Sequence, residues 1–273
     1  MDARLGLSAV LVFGLLTGLC GLQWGLPGRQ RLAALPERLQ PTSEVVDRLA
    51  RGWAELYAGI ERAHSELKPE EPVTSVRGIE EIAPGWDWPP VKLANSYRSL
   101  LLRSENPDEQ KAFVVLSRMR PWKLELEPLY IHYGGAFIYP LGAFLGAASL
   151  TRLVTLVADM RHYLTHPEDM GRLFLAGRLF ILAFSVATLW VLFDLGRRLS
   201  GTMTGFWAAA FHALCPLVII NAHTLKPHPY AAFWGRAAGR YAYLAVEAGR
   251  ARTYLLMGLC AGLAAGSNLS FIV

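Results

Sequence analysis

Apolar residues along this chain gather into long uninterrupted blocks. Five of them have the length of a bilayer-crossing helix, about 20 residues: Leu5–Leu26, Leu173–Leu195, Thr202–Asn221, Pro229–Val246 and Tyr254–Val273. A sixth block, Gly134–Ala158, is equally apolar, but its opening GGAFIYPLGAFLG holds four glycines and a proline. That composition predicts a broken or re-entrant segment rather than a clean span. Between the first and sixth blocks lies a polar region rich in Pro, Trp and charge. There, TSEVVDRLARGWAELYAGIERA places Val46, Leu49, Trp53, Leu56 and Ile60 at helical spacing, with Arg48, Arg51, Glu55 and Arg62 opposite. Thr42 or Ser43 is the N-cap candidate. The pattern suits an amphipathic helix on a membrane surface or an ordinary soluble one. In GWDWPP, Trp86 and Trp88 are candidate interface anchors on a loop.

Charge sets the orientation. The short loops DLGRRLSG and EAGRARTY carry Arg197, Arg198, Arg250 and Arg252, so both are expected in the cytoplasm. NAHTLKPHP between them then faces outside, and Leu173–Leu195 runs inward. With MDAR inside, the first span ends outside, so Gly134–Ala158 cannot be a single crossing and is either re-entrant or lies in the interface, packed on the other helices. The first block exceeds the roughly 7–15-residue apolar core of a signal peptide and lacks an A-x-A-like site, which predicts a retained helix. The expected fold is all-α: a polytopic membrane bundle with one span over 1–26, an extracytoplasmic loop over 27–172 and four spans over 173–273. The chain stops inside its last apolar block, as the front part of a longer protein would.

Composition adds little against this frame. The chain is 53% hydrophobic, with net charge +5 and a pI near 9.2. Its basic residues flank apolar blocks, so topology accounts for them and no nucleic-acid partner is expected. Cys20, Cys215 and Cys260 all lie in apolar blocks, with neither disulfide nor zinc spacing.

The candidate chemistry starts at SENPDEQKAF. Asn106 suits an N-cap, Pro107 the first helical position, and Asp108 and Glu109 the next two. The acids would satisfy a helix N-terminus, which in turn favours their ionised form. A carboxylate held charged in this way can serve as a base or bind a cation.

The stretch from ENPDEQKAF through PWKLELEPLYIHYGGAFIYPLGAFL resembles the first outer loop of the GT-C superfamily, polytopic glycosyltransferases that use polyprenyl-phosphate sugars. GRLFILAFSVATLWVLFDLGRRLSG is similar to that family's second span and its Gly-Arg-Arg turn. NAHTLKPHPYAAFW is similar to its second outer loop, and RTYLLMGLCAGLAAGSNLSFIV to the helix after the next turn. The resemblance covers roughly Asn106 to Val273 and the first helix.

The resemblance implies a transfer of sugar to an extracytoplasmic protein, lipid or glycan. Asp108 would be the base and Glu109 its structural partner. Arg178 matches a basic position of the family and would contact lipid phosphate, with a salt bridge or snorkelling as its alternative. Two positions depart: the family often has an acid at His228 and a lysine at Asn268. Lys226, His223 and His228 are the nearby substitutes for phosphate, and the two histidines leave a divalent metal open as a cofactor. Tyr130, His132, Tyr133 and Tyr139 would stack on a sugar or form an interfacial belt. Arg236 and Arg240, one turn apart, read as structural. A scaffold that has lost catalysis and a transporter are the other readings. The chain shows no repeat of the kind many transporters carry.

Overall fold

The computed structural model describes residues 3–37, 40–51, 90–127 and 133–268. The described residues are helical and contain no strand; one isolated bridge pairs Arg120 with Glu125. The helices are α1 (Ala3–Leu19), α2 (Arg29–Ala33), α3 (described over 43–51), α4 (Pro90–Leu102), α5 (Glu109–Arg118) and α6 (Gly135–Leu150). They continue with α7 (Met160–Thr165), α8 (Pro167–Ser200), α9 (Thr202–Leu214), α10 (Pro216–Ala222), α11 (Pro227–Ala248) and α12 (Ala251–Ser267).

The chain divides into two compact units. One holds Met1–Trp24, Asn106–Val154 and Phe174–Val273; the other holds Gly25–Glu105 and Thr155–Leu173. The stretch 27–172 is therefore shared between the two units. Its Asn106–Val154 portion belongs with the apolar helices, because α5 and α6 have apolar faces to bury. Ala112, Val115, Phe137, Ile138 and Leu141 are all buried.

In the smaller unit, Val46, Leu49, Tyr97, Leu101, Leu102 and Leu164 form a core. The described part of the amphipathic pattern thus packs on protein. Trp53, Leu56, Ile60, Trp86 and Trp88 lie outside the described residues. Arg31 holds this unit's loops by donating to the carbonyls of Gly25, Leu100 and Arg103 at 2.7, 2.9 and 2.7 Å.

The larger unit takes in α8 from Phe174 onward; the helix has 34 residues in all. Pro167 opens it, Glu168 and Asp169 sit in its first turn, and Arg197 and Arg198 in its last, as the helix dipole favours. The helix α1 packs on it through Val10, Leu189 and Phe193, joined by Ala209 and Ala213 of α9. On α8, Asp194 accepts from Arg197, Arg198 and Arg240 at 2.8, 2.8 and 2.7 Å. Arg240 is thereby structural, and Arg236 donates to its own helix at Ala232.

By length and composition α8 is the one described helix able to cross a membrane alone. The pair α9 and α10 qualifies together, bent by 64° at Cys215–Pro216. Both α1 and α6 are apolar but shorter. The first block is shorter than expected because α1 gives way to turns, with Gly21 at φ 80°. The sixth block is not broken at its proline. Pro140 falls six residues into α6, where it forfeits one backbone bond, and the helix runs on to Leu150.

Candidate functional site

The site is assembled around the start of α5. Asn106 turns the chain: its carbonyl accepts from Glu109 N at 3.2 Å and its Oδ1 from Asp108 N at 3.1 Å. Asn106 therefore caps the turn, as its residue type suggests. The acids do not cap. Asp108 has helical dihedrals and its side chain makes no capping bond. Both carboxylates reach other segments instead.

Glu109 points inward and is fully buried. Arg178 of α8 grips it with two parallel bonds, Nε to Oε1 at 2.9 Å and Nη2 to Oε2 at 2.7 Å. The remaining Arg178 nitrogen donates to the carbonyls of Leu22 and Trp24 at 2.7 and 2.9 Å. Glu109 Oε1 also accepts from Leu225 N at 2.7 Å. One buried ion pair thus fastens α5, α8, the chain after α1 and the chain before α11. Arg178 is 3% exposed with every guanidinium nitrogen engaged. It forms the salt bridge considered as its alternative and is not placed to receive a phosphate.

Asp108 points the other way. Lys111 Nζ lies 2.8 Å from its Oδ1, and Lys226 Nζ 2.8 Å from its Oδ2. The side chain is 40% exposed. So the adjacent acids hold adjacent residues of a distant loop, Glu109 the backbone of Leu225 and Asp108 the side chain of Lys226. Hydrogen bonds from Lys111 and then Lys226 pull the Asp108 pKa from 3.8 to about 2. A folded value below the unfolded one stabilises the protein above the unfolded pKa, and that contribution is lost as pH falls through the folded value. The difference in unfolding midpoint between wild type and Asp108→Asn, small because the pairs are exposed, is therefore expected to hold from neutral pH to about 4, then to shrink toward pH 2. Thermal unfolding across that range checks it.

His228 Nδ1 lies 2.9 Å from the Asn268 amide nitrogen. With the amide donating, Nδ1 is the acceptor and the proton sits on Nε2. Burial and then the charge of Lys226 hold this histidine below its usual pKa, with Asp108 opposing. The two positions that depart from the GT-C pattern are thus partners. A neutral hydrogen bond stands where the resemblance expects an acid and a lysine.

Tyr133 is buried, with its ring edge-on to Phe137, and its hydroxyl donates to the Asp108 carbonyl at 3.4 Å. It props the Asp108 backbone and presents no open face for a sugar. Tyr130 and His132 lie outside the described residues. Tyr139 Oη donates to Leu126 O at 3.3 Å. His223 lies between two carbonyls, Nδ1 2.6 Å from Ile219 O and Nε2 2.8 Å from Cys20 O. That is a brace between α10 and the chain after α1, not a phosphate contact. No group of three or more His, Cys, Asp or Glu able to hold a metal occurs among the described residues. Both Asp108 oxygens face ammonium groups, which repel a cation, so the residues do not fit a divalent metal at this point.

Lys111 is the member that the sequence reading missed, although its i, i+3 spacing from Asp108 was visible. Gly134 is another. Its N donates to Ser267 O at 3.1 Å, and a Cβ there would lie 1.8 Å from Gly266 O. Backbone so placed cannot move aside cheaply. Gly134→Ala is expected to cost about 1–3 kcal/mol and to shift Asn268 away from His228, read as a lowered thermal midpoint.

No family model, curated protein or solved structure matches the chain.

Proposed function

We propose that the chain is a multi-pass membrane glycosyltransferase of the GT-C type. It moves a sugar from a polyprenyl phosphate to an acceptor on the extracytoplasmic side. The observation that carries the reading is the contact of Leu225 and Lys226, just before α11, with the Asp108–Glu109 pair. The resemblance places these elements in two separate outer loops that serve one site. Their contacts, at 2.7 Å to Leu225 N and 2.8 Å to Lys226, support that arrangement.

Membrane residence is supported by the apolar surface as well as by α8. Leu5, Leu16, Phe211, Leu217, Ile220, Leu255 and Leu259 are each more than half exposed. A surface that apolar belongs against lipid.

In the reaction Asp108 takes the proton of an acceptor hydroxyl or amine. The acceptor lone pair forms the new bond at the anomeric carbon. The bond from that carbon to the phosphate oxygen breaks, and its electrons leave on the polyprenyl phosphate, whose charge Lys226 offsets. Glu109 and Arg178 keep the frame rigid. An inactive scaffold is the second reading, favoured by the engagement of both Asp108 oxygens. The test is incubation of the purified chain with polyprenyl-phosphate sugars labelled in the sugar. Label leaving the lipid supports transfer. Label that stays on the lipid with every donor and acceptor offered would remove the proposal.

A further inference from the structure

Two ion pairs lie side by side at the start of α5, and they differ in access. The Glu109–Arg178 side chains are 0% and 4% exposed, so solvent and ligands do not reach them. The Asp108–Lys226 side chains are 40% and 20% exposed, and Lys111 is 32% exposed. A sealed pair is a fixture, whereas an open pair can exchange partners, because exposed ion pairs hold weakly.

We infer that Asp108 is a built-in counterion, which a phosphate monoester displaces from Lys226 and Lys111 on binding. Two ammonium groups converging on one carboxylate already have the form of an anion site, and Asp108 fills it. A phosphate offers more charge and more acceptor oxygens to the same donors. Once the lysines turn to the phosphate, Asp108 loses both of its cationic partners. Its basicity then rises toward that of an ordinary carboxylate. The inference rests on Asp108 being the base: the sugar donor is a phosphodiester, and the lipid monoester left when its bond to the sugar breaks is the phosphate that takes the lysines.

The experiment is titration calorimetry of the full chain in detergent micelles, with inorganic phosphate and with a polyprenyl monophosphate as separate probes. Asp108→Asn removes the competing charge and is expected to tighten phosphate binding about fivefold. Lys226→Met is expected to weaken it at least as much. Asp108→Ala repeats the comparison should the amide variant not fold. Unchanged or weaker binding in the Asp108 variants would overturn the inference. Tightening with the lipid alone names a lipid phosphate as the ligand and keeps the inference. Tightening with inorganic phosphate alone keeps the displacement and sinks the lipid-donor reading. Conversely, transfer lost in Asp108→Asn without any gain in phosphate binding sinks the displacement and leaves the transfer reading standing.

Discussion

Glu109→Gln is expected to lower stability by about 3–5 kcal/mol, the usual cost of leaving one member of a buried ion pair alone. The amide keeps the shape of the side chain and can still accept from Leu225 N. What it loses is the negative charge against Arg178, which is buried and has no water to replace it. Arg178→Met should cost a similar amount, by stranding Glu109. Replacing both at once, with Leu at 109 and Met at 178, should cost less than the two single changes summed. That non-additivity is the signature of a direct buried pair. Unfolding midpoints of the four proteins in one detergent measure it. A Glu109→Gln variant as stable as wild type would mean that the pair does not hold the segments together.

One residue earlier, the expected effect falls on rate and not on folding. Asp108→Asn should reduce sugar transfer by about 10²–10⁴-fold, the range that a positioned general base contributes. Its stability should change little, because its ion pairs are exposed and pairs of that kind are worth about 0–1 kcal/mol. Asp108→Glu should retain part of the rate, since a carboxylate remains but sits one carbon too far along. The contrast between neighbouring acids is a strong internal control. A change at 109 should remove folded protein, and a change at 108 should leave folded protein that does not turn over.

The helical class was legible in the sequence and the pairings at the site were not, for specific reasons. The helical class followed from block length and periodicity, which are local properties. That one acid points outward and the other inward was not read from the sequence. ENPDE announces a turn and a helix start, but it does not say that neither carboxylate caps the helix and that both reach a loop over a hundred residues away. Lys226 was singled out as a phosphate contact, and its pairing with Asp108 was not foreseen. Lys111 was missed, although it sits one turn along the same helix. Arg178 was visible as a charge in an apolar helix, yet which acid it meets is a tertiary fact. His223 and Tyr133 carried the right chemistry for a ligand but bond to backbone, which no spacing reveals. The extent of α6 was misjudged because a proline near the start of a helix costs a single bond, not the helix. The division of the 27–172 stretch depends on which apolar faces find each other, and the sequence does not record that either.

The central claim is that Asp108 is the base of a sugar transfer from a lipid phosphate. The most direct measurement is a side-by-side rate of label release from polyprenyl-phosphate sugar by the wild-type chain and by Asp108→Asn, both shown to be folded by their unfolding midpoints. The account predicts release by the wild type and a loss of at least about a hundredfold in the variant. Equal rates in the two folded proteins would contradict it.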